Sequence, residues 1–182
     1  MNLSNDVQWT VWELPQTVAF GQQMRKTLEV PGLHFTSEIA GADADIVITC
    51  GAMQYFEHDL PIYLRYLRRL PKHVFVNRVP LIEEQTFFTL QNVVRHFVPY
   101  RIQNHLELIG SLEQLGYHLI DGWYEDHEII IPFHPECRVT RFYGFYFCLG
   151  EVDSDCWRTD ALTVATRARE AMGLHDQSCL TH

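Results

Sequence analysis

The chain has 182 residues, 47% of them hydrophobic and 13% aromatic, with 23 Asp or Glu against 14 Lys or Arg and a formal net charge of −9. That apolar content excludes a disordered chain and predicts one compact domain. The acidic balance, with no basic run denser than Arg65, Arg68 and Arg69 on one helix face, argues against nucleic acid as a partner. Five cysteines without CxxC spacing argue against a disulfide framework or a zinc site and point to a reduced, cytoplasmic protein. The start, Met1–Asp6, is polar, and no stretch approaches the ~20 apolar residues of a membrane helix, so no membrane association is expected.

In chain order, Val7–Glu13 (VQWTVWE) reads as a buried strand ending on an acid, and Leu14-Pro15 opens a helix that Pro31-Gly32 stops. Leu33–Ser37 is a short strand. Asp45–Cys50 (DIVITC) is uniformly apolar, as in a parallel strand covered on both faces, and ends at Gly51. Leu60–Leu70 has a helical period closed by Pro71, and Lys72–Asn77 (KHVFVN) is the next strand. Arg78–Tyr100, irregular and broken by Pro80 and Pro99, reads as a long loop or cap. Gln103–Leu115 is an amphipathic helix ended by Gly116. Tyr117–Tyr124 and Val139–Leu149 are strands, and Thr159–Met172 is a last helix. Strands alternating with helices predict an α/β fold with a mostly parallel sheet, closed by an antiparallel pair joined without a helix.

Parallel strands followed by a C-terminal antiparallel pair form the pattern of S-adenosylmethionine-dependent methyltransferases with a Rossmann-like sheet. DIVITCGAMQYFEH (Asp45–His58) resembles the fourth-strand segment of a family of methyltransferases marked by an SGALQY core, which here reads Cys50-Gly51-Ala52-Met53-Gln54-Tyr55. VNRVPL (Val76–Leu81) is similar to that family's DRTP segment, TLQNV (Thr89–Val93) to its TVQ segment, and LGYHLI and YGFYF to its closing strands. The resemblance spans Val7 to Gly150.

The resemblance implies S-adenosylmethionine as cofactor and a role for each matching position. Glu13, the acid ending the fold's second strand, would accept hydrogen bonds from the two ribose hydroxyls; its plainer reading is a surface acid at a helix start. Ser37 and Glu38 fall where adenine is contacted. Cys50, Gly51, Ala52 and Met53 follow the fourth strand at the carboxyl end of the sheet and would face the methionine part, with Gly51 permitting close backbone approach. Gln54 and Tyr55 would orient the methyl acceptor, or serve as ordinary turn residues. Arg78 and Gln91 would hold an acceptor carboxylate or phosphate, although a strand-end Arg often pairs with a neighbouring acid. Where the acceptor must lose a proton, His58, His96 and Glu57 are the candidate bases. His134 and Cys137 form at most half of a metal site, and no metal is expected.

One motif of the fold is not found, the glycine-rich turn after strand one. The expectation is therefore a domain over residues 1–150 that lacks strand one and its helix, a truncated form, with 151–182 a helical tail. The bared strand edges have three outcomes: strand two pairs with strand four, a second copy covers the edge as a homodimer, or the true start lies upstream. The functional reading is methyl transfer to a small-molecule or saccharide-like acceptor. The alternative is a catalytically inactive remnant that serves as a binding or oligomerisation module.

Overall fold

The computed structural model describes residues 7–150, which leaves the predicted helix at Thr159–Met172 outside the described residues. These residues divide into two compact units, 7–43 with Tyr66–Arg68, and 44–65 with 69–150.

In the first unit, β1 (Trp9–Trp12), α1 (Pro15–Leu28) and β2 (Leu33–Thr36) form a parallel βαβ element, with Trp9 opposite Leu33 and Trp12 opposite Thr36. Pro15 stands in the first turn of α1, where its missing N–H removes no intrahelical bond. Arg25 and Lys26 complement the dipole in its last turn, and Glu29 ends it in the left-handed conformation at φ 48°. The helix lies close against β2 at Gly21, where an added Cβ would sit 2.4 Å from the Phe35 ring.

The second unit contains β3 (Ile46–Cys50), α2 (Leu60–Tyr66), β4 (His73–Ile82), β5 (Phe87–Val93), β6 (His96–Asn104), α3 (His105–Glu113), β7 (Tyr117–Ile129) and β8 (Val139–Leu149). Its sheet runs β5-β6-β4-β8-β7, with β3 also paired to β4. β3–β4 and a two-residue contact of β4 with β6 are parallel, whereas β4–β8, β7–β8 and β5–β6 are antiparallel. The closing antiparallel pair is present as the sequence indicates. The expectation of a mostly parallel sheet is corrected to a mostly antiparallel one. The connections explain the difference: β5–β6 turns through two residues, β7–β8 closes without a helix, and only a helical crossover such as α2 brings consecutive strands parallel.

Two further expectations change. Arg78–Tyr100 is not a loop, because β4 continues to Ile82 and is followed by the β5–β6 hairpin. β4 survives its irregular middle through a bulge between Val76 and Val79, where Arg78 adopts φ 59°, and it then resumes pairing with Tyr143 and Phe142 of β8. The hairpin turn Val94-Arg95 places a β-branched residue at φ 52°, so it lacks the Asn-Gly or Gly signal by which such turns are read. Nor is β3 covered on both faces, since Ile46 and Ile48 are half exposed.

The core is built on β4 and β8: Val74, Val76, Phe145 and Phe147 are almost wholly buried, as are Leu108 and Leu112 of α3. α3 packs on β6 and β7. Asn104 caps α3, accepting from the Glu107 amide at 3.0 Å while its own amide donates to the Glu83 and Glu84 carbonyls.

Candidate functional site

β3 and β4 run parallel, so Cys50, the carboxyl end of β3, lies beside Asn77, the last residue of β4 paired with it before the β4 bulge. The Gly51 N–H donates to the Asn77 carbonyl at 2.9 Å, and the Asn77 amide reaches the Cys50 sulfur at 3.6 Å. Gly51 has φ 62°, the conformation that favours glycine, and the space its Cβ would enter holds nothing within 4 Å. Glycine is thus demanded by the backbone turn, and open room lies beside it. A short 3-10 turn, Met53–Tyr55, follows Ala52. It drives Met53 into the core at 1% exposure and buries Gln54, whose Nε2 donates to the Gly51 carbonyl at 3.0 Å. Among the described residues the Gln54 Oε1 has no partner, and neither does the buried Thr49 hydroxyl in β3.

The same turn points Tyr55 at the β5–β6 hairpin. Its hydroxyl donates to Gln91 Oε1 at 2.6 Å, and its ring meets Tyr100 edge-on at 5.4 Å. The structure therefore brings together Gln54 and Tyr55 of one predicted segment with Gln91 of another, and adds Tyr100, Arg101 and Asp59. Arg101 is buried and donates to Asp59 at 2.6 Å and to the His58 carbonyl at 3.5 Å, which binds the loop after the turn to β6. Sequence reasoning missed this pair. Its available signal was a lone cation within the apolar run HFVPYRI.

Burial, with a smaller contribution from Tyr55 and partial opposition from the Gln54 side chain, pushes Tyr100 up to about 12. It is a hydrogen-bonding group and not a base at ordinary pH. Tyr117, which donates to the Pro71 carbonyl at 2.7 Å, is raised further by burial and then by Cys148. Both groups hold their protons more tightly folded than unfolded, so their contribution to stability is complete below the ordinary tyrosine value of 10.0 and is lost as pH rises toward about 12. The urea midpoint should accordingly fall across that window; a midpoint flat through it would contradict the burial of both hydroxyls.

The other predicted residues are not part of this cluster. His58 offers its ring to Tyr63 at 6.1 Å, Glu57 is exposed, and His96 sits beside the hairpin turn opposite Val93. Arg78 is at the β4 bulge, not at a strand end, and is engaged by Glu125 at 3.2 Å and by the Phe142 ring at 5.9 Å. His134 contacts Glu136 at 3.0 Å, and among the described residues no three metal-ligating side chains converge.

Glu13, Ser37 and Glu38 belong to the first unit. Glu13 follows β1; its N–H donates to the Thr36 carbonyl and its carboxylate accepts from the Leu14 amide at 3.2 Å. The Ser37 carbonyl accepts from the Trp12 indole, and the Glu38 amide donates to the Thr36 hydroxyl at 3.0 Å. A cleft of this unit lined by Gln22, Arg25, Lys26, His34 and Phe35 includes none of the three.

Asn77 has one more partner, the Trp123 indole N–H at 2.9 Å. That indole lies over Gly144, where a Cβ would come within 2.2 Å of it. Gly144→Ala should displace the ring, break its bond to Asn77 and cost about 1–2 kcal/mol, read as a lower urea midpoint at constant slope. An unchanged midpoint would mean that the ring can leave Asn77 without loss.

No protein-family model matches the sequence, and no curated protein matches it. Solved structures do. A SAM-dependent methyltransferase from Methanosarcina mazei is 10% identical, with 78% of this chain and 82% of that chain covered at a TM-score of 0.50. A structure described under the conversion of a disulfide bond into a thioacetal group during echinomycin biosynthesis is 15% identical, with 88% and 72% covered at 0.50. A S-adenosylmethionine-dependent methyltransferase from Clostridium acetobutylicum is 10% identical, with 80% and 76% covered at 0.48. At such identities the likeness is one of architecture: the chain has the mixed α/β fold of SAM-dependent methyltransferases.

Proposed function

We propose that the protein is a S-adenosylmethionine-dependent methyltransferase acting on a small-molecule acceptor. The observation that carries this reading is the convergence of Gln54, Tyr55 and Gln91 where β3 and its parallel pairing with β4 end, beside the open space at Gly51. Open sheets take ligands at that end of parallel strands. The residues there suit the methionine part of such a cofactor: the turn at Gly51 leaves room, and the buried Gln54 Oε1 is an acceptor still lacking a donor. Within the first unit, Glu13 retains carboxylate capacity for vicinal hydroxyls beyond its bond to Leu14.

Bound S-adenosylmethionine would supply an electrophilic methyl group on a sulfonium. The chain's part is positioning, the main source of rate in an in-line displacement. Tyr55 can orient an acceptor through the lone pairs left after it donates to Gln91, and the Gln91 amide N–H groups remain free to donate. Tyr100 stays protonated and braces the Tyr55 ring. His58 and Glu57, on the loop after the turn, are the bases nearest in sequence for an acceptor that must lose a proton, with His96 further off on the hairpin. The net charge of −9 disfavours polyanionic acceptors, in keeping with the small-molecule or saccharide-like acceptor proposed.

A second reading has its own support: among the described residues no glycine-rich turn follows a strand as in the fold's cofactor loop, which fits an inactive remnant that binds or associates. Calorimetric titration of the full chain with S-adenosylhomocysteine separates the two. Saturable heat that is weakened at least tenfold by Gly51→Val supports the transferase; no heat from folded protein overturns it and leaves the remnant.

A further inference from the structure

In the β7–β8 register Asp121 stands opposite Tyr146, Trp123 opposite Gly144 and Glu125 opposite Phe142. Side chains alternate along a strand, so all six positions share one face of the sheet. Gly144 has no side chain, and the Trp123 indole occupies the space that a Cβ there would enter. Its N–H is held by Asn77 at 2.9 Å. The ring is thus fixed in place while the residue stays 40% exposed, and with its polar edge engaged it has a π face to offer a ligand. Tyr146, across from Asp121, is fixed as well, stacked on Phe75 at 4.4 Å and bonded to His73 at 2.9 Å.

The charge beside these rings is negative. Glu125 is engaged by Arg78 at 3.2 Å. Asp121 is half-buried and accepts from the Gly122 N–H at 2.6 Å, and among the described residues no cation pairs with it. A carboxylate drawn partly out of water calls for a positive partner. The donors beside the indole are already engaged: the Asn77 amide reaches the Cys50 sulfur, and Arg78 is at Glu125. A carboxylate oxygen and the electron-rich face of an indole remain, and both attract positive charge.

We infer that Asp121, Trp123 and Tyr146 form a site for a compact organic cation. The indole face receives the alkyl surface of the charged group, the Asp121 carboxylate balances its charge, and the Tyr146 ring is the wall behind them. Indole is the most favourable of the aromatic faces for a cation. Neighbouring same-face residues on a strand are roughly 7 Å apart, a gap that one ammonium or sulfonium group with its alkyl substituents spans. The net charge of −9 favours the approach of such a ligand. A saccharide can stack on an indole too, but its hydroxyls call for donors as well as acceptors, and the donors here are engaged. The site stands whether or not the chain transfers methyl groups.

The test follows the indole N–H signals of the full chain in proton–nitrogen correlation spectra, in which the signal absent from Trp123→Phe is that of Trp123. Choline chloride should move this signal saturably, against sodium chloride at equal ionic strength. Its uncharged isostere 3,3-dimethyl-1-butanol should bind about tenfold more weakly. Asp121→Asn, which retains an oxygen for the Gly122 N–H and is established as folded by circular dichroism, should weaken choline about threefold. A signal that choline leaves in place, an isostere that binds equally well, or unchanged affinity in Asp121→Asn overturns the site. Movement by methyl α-D-glucopyranoside in place of choline also overturns it and assigns the ring to a saccharide. Displacement of choline by S-adenosylmethionine but not by S-adenosylhomocysteine, which lacks the positive sulfur, supports the site with the sulfonium as its cation; displacement by neither supports it with a separate ammonium ligand. Choline binding in a chain that gives no heat with S-adenosylhomocysteine leaves the site standing and overturns methyl transfer alone.

Discussion

Phe147→Ala is expected to lower the unfolding free energy by about 3–5 kcal/mol, the range for removing a buried phenyl ring from a core that cannot fully collapse around the void. Phe147 is 0% exposed on β8, the strand between β4 and β7, with Val74 and Leu119 as its cross-strand neighbours and the Phe145 ring at 6.0 Å. Since a domain holds about 5–15 kcal/mol in total, such a loss would leave a substantial unfolded fraction at physiological temperature. Phe133→Ala is the control: that ring is 99% exposed, and its loss should fall within about 0.5 kcal/mol of zero. Urea unfolding of the two variants measures the contrast, and a loss below about 1 kcal/mol at Phe147 would contradict the central place of β8.

Asp59→Ala is expected to cost about 2–3 kcal/mol. The Arg101 guanidinium is 6% exposed, and without Asp59 it keeps a long bond to the His58 carbonyl as its remaining described anchor. A buried charge stripped of its partner is costlier than the pair was stabilising; the half-exposed Asp59 admits water and brings the cost just below the usual range of about 3–5 kcal/mol. A stranded buried charge has a consequence that a simple lost contact lacks. Adding Arg101→Met to Asp59→Ala should recover part of the stability, because the second change removes the stranded charge. If the double variant is less stable than Asp59→Ala, Arg101 acts through packing instead. Asp59→Ala should also weaken ligand binding, since Arg101 follows Tyr100 and holds the hairpin that presents Gln91 to Tyr55.

The elements legible in the sequence were those whose signals are local. Pro15 opens α1 as expected, and β8 spans Val139–Leu149 as read. The CGAMQY segment was legible as the turn after a strand, because glycine after an apolar run marks a backbone reversal. β5 and β6 were not. Pro80 and Pro99 read as breakers, yet Pro80 pairs with Phe142 beyond a bulge and Pro99 stands opposite Leu90 in a hairpin. The hairpin turn carries Val and Arg where the usual sequence signal is glycine or asparagine.

Sequence by itself determined the class of fold, the closing antiparallel pair and the identity of the loop that bears Gln54 and Tyr55, because hydrophobic period and turn chemistry act over a few residues. Tertiary structure decided the rest. It made the sheet mostly antiparallel, joined Gln91 to Tyr55 across 36 positions of chain, buried Arg101 beside Asp59 and placed Arg78 beside Glu125. Strand partners and ion pairs depend on which surfaces meet after collapse, and no local pattern in the chain encodes that meeting.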